Sequence, residues 1–255
     1  MSESRSVDQV INDKIGLGAD IYRSILRNGN RELRVTPDTS TGSKVVVNEN
    51  TGQVKVGYIT IENVIAHPKG IEDSAVLNWS RIRGGPGVTV MPTLVRDGEE
   101  HVVMIYKPHP AVGKWLLELP SGAVNLKTED YRRAALRELS EETGFGAGYL
   151  QFFSTNYHAP FRIGWLDRVY VARDAAPMLG HAPKGDYEEK PISTVILNIR
   201  QLEDLLWNNG LNYSTSKATI AQYIMYKKEG KLQDYLDLMR EEERKLDEIA
   251  TPYAG

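Results

Sequence analysis

The stretch Arg137-Glu138-Leu139-Ser140-Glu141-Glu142-Thr143-Gly144-Phe145 places three carboxylates within five positions, and no other feature constrains this chain as much. On a helix, Glu138 and Glu142 lie one turn apart with Glu141 beside them, so all three project from one side. Like charges at that spacing destabilise an isolated helix by roughly 0.2–0.5 kcal/mol per pair. A divalent cation removes the penalty, because a hard cation takes oxygen ligands and leaves room for water and phosphate. A solvated acidic face is the plainer reading of such a cluster standing alone. Here the cluster has ordered neighbours.

Thr128 is a good N-cap, and Glu129 and Asp130 add negative charge where the helix dipole favours it. Tyr131, Ala134, Ala135 and Leu139 recur at helical spacing and supply a buried stripe. Gly144 provides the left-handed residue that stops the helix. The pattern predicts a capped helix over residues 128–143, with its carboxylates on the side away from the core. Upstream, Trp115-Leu116-Leu117-Glu118-Leu119-Pro120-Ser121-Gly122 reads as a short apolar strand entering a tight loop. Strand, loop and helix form one chemical unit.

The rest of the chain sets bounds. Its 255 residues hold one large domain or a domain with a smaller companion. A net charge of −3 argues against long nucleic acid as a partner, but not against a small anion held by a metal. Zero cysteines exclude disulfides, zinc-thiolate sites and thiol nucleophiles, and five histidines show no ligand spacing. No apolar run approaches the ~18 residues of a membrane span, and the amino terminus is polar. The expectation is a cytoplasmic protein.

Residues 7–26 read as helical and are followed by a turn-rich stretch. Residues 44–47 and 53–61 read as a β-hairpin around Asn48-Glu49-Asn50-Thr51-Gly52. Strands follow at 88–95 and 102–107 around Asp97-Gly98, and after the acidic helix at 150–153, 165–172 and 195–199. Residues 199–207 and 214–226 read as helices, and 231–249 as a charged helical tail with an apolar stripe. Strands around the acidic helix, with more helices after them, suggest a mixed sheet between helices.

The acidic segment resembles the signature of the Nudix hydrolases, G-x5-E-x7-R-E-U-x-E-E-x-G-U with U apolar. Glu129, Arg137, Glu138, Glu141, Glu142 and Gly144 match, with Leu139 and Phe145 at the apolar positions. Gly122 stands one residue further from Glu129 than the pattern has it, a one-residue insertion at Asn125-Leu126-Lys127. The resemblance implies an α/β (α+β type) Nudix α/β/α sandwich with a mixed sheet over residues 82–227. Residues 1–81 are then an N-terminal extension with a β-rich subdomain, and residues 228–255 a C-terminal helical tail.

The same resemblance implies Glu138, Glu141 and Glu142 as ligands of Mg2+ or Mn2+, with the backbone carbonyl of Ser121 as a further ligand. Arg137 is implied to orient the carboxylates, and Glu129 to serve either the metal site or the helix start. Pro160, the Trp115–Gly122 segment, Ser214-Thr215-Ser216-Lys217-Ala218-Thr219-Ile220-Ala221 and the β-rich extension are similar to the ADP-ribose pyrophosphatase branch. That branch implies a nucleoside diphosphate sugar as substrate and a homodimer through residues 44–80. Its arginines are absent from Tyr106-Lys107-Pro108-His109, which leaves phosphate contact to Lys107 or Lys114. Arg162 and Trp165 are candidates for the nucleotide pocket, Trp165 equally for the core. The acidic loop Gly185-Asp186-Tyr187-Glu188-Glu189-Lys190 nominates Glu188 or Glu189 as general base. Alternatives within the family are NADH, dinucleotide polyphosphates or capped RNA ends, and outside catalysis a nucleotide-sensing module.

Overall fold

The computed structural model describes residues 5–32, 45–48, 53–56, 59–66, 77–83, 85–158, 165–180 and 192–250. Its helices are α1 (Val7–Asn28), α2 (Tyr131–Thr143), α3 (Ile199–Trp207), α4 (Ser214–Lys228) and α5 (Leu232–Ala250). The first strands, β1 (Val45–Asn48), β2 (Gln53–Val56), β3 (Ile59–Ala66) and β4 (Leu77–Arg83), form an antiparallel four-stranded sheet in sequence order. Residues 53–61, one run in the sequence reading, are two strands: Val56 pairs with Ile59, so the chain reverses between them. β4 adds a partner that the hairpin reading lacked.

The second sheet holds β5 (Pro86–Arg96), β6 (Glu99–His109), β7 (Lys114–Glu118), β8 (Ser121–Ala123), β10 (Tyr149–His158), β11 (Trp165–Arg173) and β13 (Ser193–Asn198). A small pair, β9 (Phe145–Gly146) and β12 (Ala176–Pro177), lies beside it. The order is β10-β11-β5-β6-β13; β11 and β5 run parallel and the other pairs antiparallel. Asp97 and Gly98 both take positive φ, 52° and 77°, which lets a two-residue turn join β5 to β6. Beyond Thr93 and Val102 these two strands part. β5 then pairs with β8 and β6 with β7, so Leu119-Pro120 crosses from one to the other. That split creates the loop on which the site is built.

Each face of the sheet carries a core. On one, Met91, Met104, Val169 and Val195 meet Leu202, Leu205, Ile220 and Tyr223 of α3 and α4. On the other, Val88, Val90, Tyr170 and Ile196 meet Ala134, Ala135 and Leu139 of α2. The alternation along β5 and β6 follows from the period-two pleat of a strand buried on both sides.

The two outer strands are covered by helices. α5 packs on β10, where the Tyr235 hydroxyl donates to the Phe153 carbonyl at 2.8 Å. The buried Glu243 accepts from Arg132 of α2 and from the Tyr170 hydroxyl. α1 packs on β13 with Gly18 at the crossing, where a Cβ would lie 2.2 Å from the Ile196 carbonyl oxygen. Gly18→Ala is therefore expected to lose about 1–3 kcal/mol of stability by overpacking. Gly16→Ala, with nothing within 4 Å, should be neutral or gain up to about 1 kcal/mol from helix propensity. Urea unfolding of the two variants checks this; equal midpoints would show that α1 is not seated on β13.

Candidate active site

α2 begins later than its sequence suggests. Thr128 and Glu129 both donate their amides to the Asn125 carbonyl, so the inserted residue is absorbed in a turn. The cap is Asp130, whose carboxylate accepts from the Arg133 amide at 2.8 Å, and not Thr128. Glu129 consequently stands before the helix. Gly144 closes it in the left-handed conformation at φ 72°.

Arg137 organises the solvent side of the cluster. Its guanidinium holds Glu129 through two hydrogen bonds at 2.8 and 3.1 Å, and donates to Glu138 at 2.7 Å and Glu141 at 2.9 Å. It also donates to the Ala123 carbonyl at 3.0 Å, tying α2 to the end of β8. The hydrogen bond from Arg137 holds Glu129 below the ordinary carboxylate range, and Glu129 in turn raises Arg137.

Glu138 and Glu142 do not face solvent. Glu142 is 0% exposed and Glu138 8%, because the loop from β7 to β8 covers them. Ser121 donates its amide to Glu142 at 2.8 Å, and Lys107 of β6 donates to the other oxygen at 3.0 Å. Gly122 makes the approach possible: a Cβ there would sit 2.1 Å from the Glu138 carboxylate. The loop itself is fixed on three sides. Leu119 donates to the Ser216 hydroxyl of α4 at 2.9 Å, Val90 donates to the Pro120 carbonyl at 2.8 Å, and Ser121 pairs with Thr89.

Next to this pair lies a third buried carboxylate. Glu118 is 1% exposed, with Lys107 Nζ 3.0 Å from one oxygen and His109 Nε2 3.0 Å from the other. Tyr213 lies tilted against His109, ring centroids 5.7 Å apart, and its hydroxyl is pushed up to about 12, by burial first and then by Glu118 and Asp167.

The sequence candidates therefore divide. Ser121, Gly122, Glu129, Arg137, Glu138, Glu141, Glu142 and Lys107 meet at one loop–helix junction. Lys107 is engaged there with carboxylates, while Lys114 is half-exposed and paired with Glu32 at 3.3 Å. Pro160, Arg162, Glu188 and Glu189 lie outside the described residues, as does the side chain of Trp165, whose backbone opens β11. Sequence reasoning missed Glu118, His109 and Ser216. The signal for Glu118 was present: a carboxylate inside the otherwise apolar run Trp115–Leu119.

Hard carboxylate oxygens on one helix, and a glycine that leaves room for one of them, suit a divalent cation of the Mg2+ type. Among the described residues no three acidic or imidazole side chains already form a cage. Instead Arg137 and Lys107 hold the carboxylates as two cation-centred groups. Glu138, Glu142 and Glu141 are the side chains that would hold the metal.

An acidic helix facing a loop between split strands, in a mixed sheet flanked by helices, defines a domain of the α+β class. Residues 86–211 match the family model described as the NUDIX domain, so this stretch of the chain is a Nudix domain. It is 27% identical over 130 residues to Nudix hydrolase 14, chloroplastic, of Arabidopsis thaliana, a match covering 50% of this chain and 41% of that protein. It is 34% identical over 73 residues to a Nudix hydrolase of Schizosaccharomyces pombe, covering 29% of this chain and 35% of that one. The matched stretch thus spans well under half the length of either relative. A solved structure described as an ADP compounds hydrolase superposes with a TM-score of 0.54 at 22% identity, over 78% of this chain and 98% of that one. Among the described residues no helix is long and apolar enough to cross a membrane.

Burial pushes Glu142 up to about 8, against the pull of Lys107 and the Ser121 amide. A carboxyl whose folded value exceeds its unfolded one stabilises the fold below the unfolded value, and that contribution is lost as pH rises through the folded value. Metal-free protein should therefore lose stability between pH 5 and pH 8.5 by about 1–3 kcal/mol more than Glu142→Gln does. Urea midpoints of both proteins at the two pH values check this; parallel losses would contradict it.

Proposed function

We propose that this protein hydrolyses the pyrophosphate bond of ADP-ribose or a related nucleoside diphosphate sugar, with Mg2+ as cofactor, giving a nucleoside monophosphate and a sugar phosphate. The observation that carries the proposal is the pair Glu138 and Glu142, buried under a loop that Gly122 allows to close. A divalent cation supplies positive charge to the pyrophosphate oxygens and activates water. In the reaction, water forms a bond to one phosphorus while the bridging P–O bond breaks.

The chain's own residues prepare that site. The Ser121 amide aims the Glu142 carboxylate, and Arg137 orients Glu129, Glu138 and Glu141. The loop that carries Ser121 is tied down at Leu119, Pro120 and Thr89. Orientation of this kind lowers the barrier because the groups need no rearrangement as charge develops. The choice of an ADP-linked substrate draws on the resemblance of Trp115–Gly122 to the ADP-ribose pyrophosphatase branch and on the description of the superposed structure. The same reading carries a homodimer through residues 44–80, for which light scattering of the intact chain is the test.

Pure protein with Mg2+ and a panel of ADP-ribose, ADP-glucose, NADH, a diadenosine polyphosphate and a capped RNA tests the function. The expected result is AMP release with ADP-ribose or ADP-glucose giving the highest kcat/KM. Glu142→Gln should lower kcat by about a hundredfold or more, the loss of a charged metal ligand, with its circular dichroism unchanged. Folded wild-type protein that cleaves nothing in the panel would overturn the enzyme reading.

A further inference from the structure

Lys107 occupies an unusual position for a residue beside a metal-type carboxylate. Its Nζ lies 3.0 Å from Glu142 Oε1 and 3.0 Å from Glu118 Oε1, so one ammonium bridges two buried acids. The two contacts differ in kind. The one to Glu142 is an aligned hydrogen bond, whereas neither oxygen of Glu118 receives an aligned hydrogen bond from Lys107 or His109. Glu118 therefore keeps acceptor capacity in a place with 1% exposure, where an unsatisfied carboxylate oxygen is costly. Burial opposes the charge on Lys107, and Glu118 and Glu142 more than offset it, so the ammonium stays protonated.

An ammonium and a divalent cation cannot both sit against Glu142 Oε1, since like charges at contact distance repel strongly in a buried site. The strand register supplies somewhere else for the ammonium. Glu118 stands opposite Ile105 on β7, and Lys107 lies two residues along the same face of β6. The lysine can thus leave Glu142 and remain on Glu118.

We propose that Lys107 is an internal counter-cation that holds Glu142 until a divalent metal displaces it, and that Glu118 is the berth to which it retracts. Both are positioning residues. The proposal rests on the reading that Glu142 ligates the metal, and it sets the apparent metal affinity of the site: Lys107 competes with the metal, and Glu118 weakens that competition. The two substitutions must then act in opposite directions.

Mn2+ binding to metal-free protein at one fixed pH, read by the electron paramagnetic resonance signal of free Mn2+, provides the test. Lys107→Met removes the competitor and should tighten Mn2+ binding about tenfold; Lys107→Gln, which keeps hydrogen-bond donors, should do the same if the Met variant folds poorly. Glu118→Gln removes the berth, leaves Lys107 on Glu142, and should weaken binding about tenfold. Glu142→Gln is the control for the metal site itself. If it weakens Mn2+ binding while both Lys107 variants bind no more tightly than wild type, or while Glu118→Gln is unchanged, the counter-cation proposal is overturned and the metal site stands. If wild type binds no Mn2+, or Glu142→Gln binds as wild type does, the metal-site reading fails and the proposal with it.

Discussion

A carboxylate with no exposed surface dictates much of the architecture around it. Glu142 loses its hydration in the fold, so its oxygens require partners that the chain must supply from separate elements. One partner is the Ser121 amide, which exists as a donor only because β5 and β6 part and β8 enters beside β5. Another is Lys107, placed by the outward half of β6 after that same parting. The split hairpin, the short loop and the acidic helix thus serve one requirement: to keep carboxyl oxygens buried yet hydrogen-bonded.

The family match ends at residue 211, but the site's support does not. Ser216 of α4 holds the Leu119 amide, and α5 reaches α2 through Glu243 and Arg132. Arg168, buried in the sheet, stacks on Tyr131 at the start of α2 and donates to Asp247 of α5 at 2.5 Å. At the opposite edge, α1 lies on β13 through Gly18. Covering both outer strands removes open edges that invite pairing with other chains. It also holds the mixed sheet, and with it the loop, against α2.

The elements legible in the sequence are those whose signals are local. The Asp97-Gly98 turn, the Gly144 stop and the apolar stripe of α2 each depend on a few adjacent residues, and the structure has them where the spacing put them. The start of α2 was misread because Thr128 and Asp130 are both good caps, and only the Asn125 turn decides between them. β4 was missed because its alternation, Leu77 and Trp79 against Asn78 and Ser80, slips at Arg81-Ile82, and its partner β3 lies across a long connection. The carboxylate cluster was legible as chemistry but not as burial. Sequence spacing places Glu138 and Glu142 on one side of a helix; only tertiary structure shows that the loop covers that side. The link between Lys107 and Glu142 spans elements far apart in sequence, so no local pattern reveals it.

The proposed place for a divalent metal is the loop–helix junction at Ser121, Glu138 and Glu142. Crystals grown with Mn2+ and measured for anomalous scattering test it most directly. A strong anomalous peak is expected within coordination distance of the Glu138 and Glu142 carboxylates. Ordered protein at saturating Mn2+ with no peak at that junction, or with its peak elsewhere in the molecule, would contradict it.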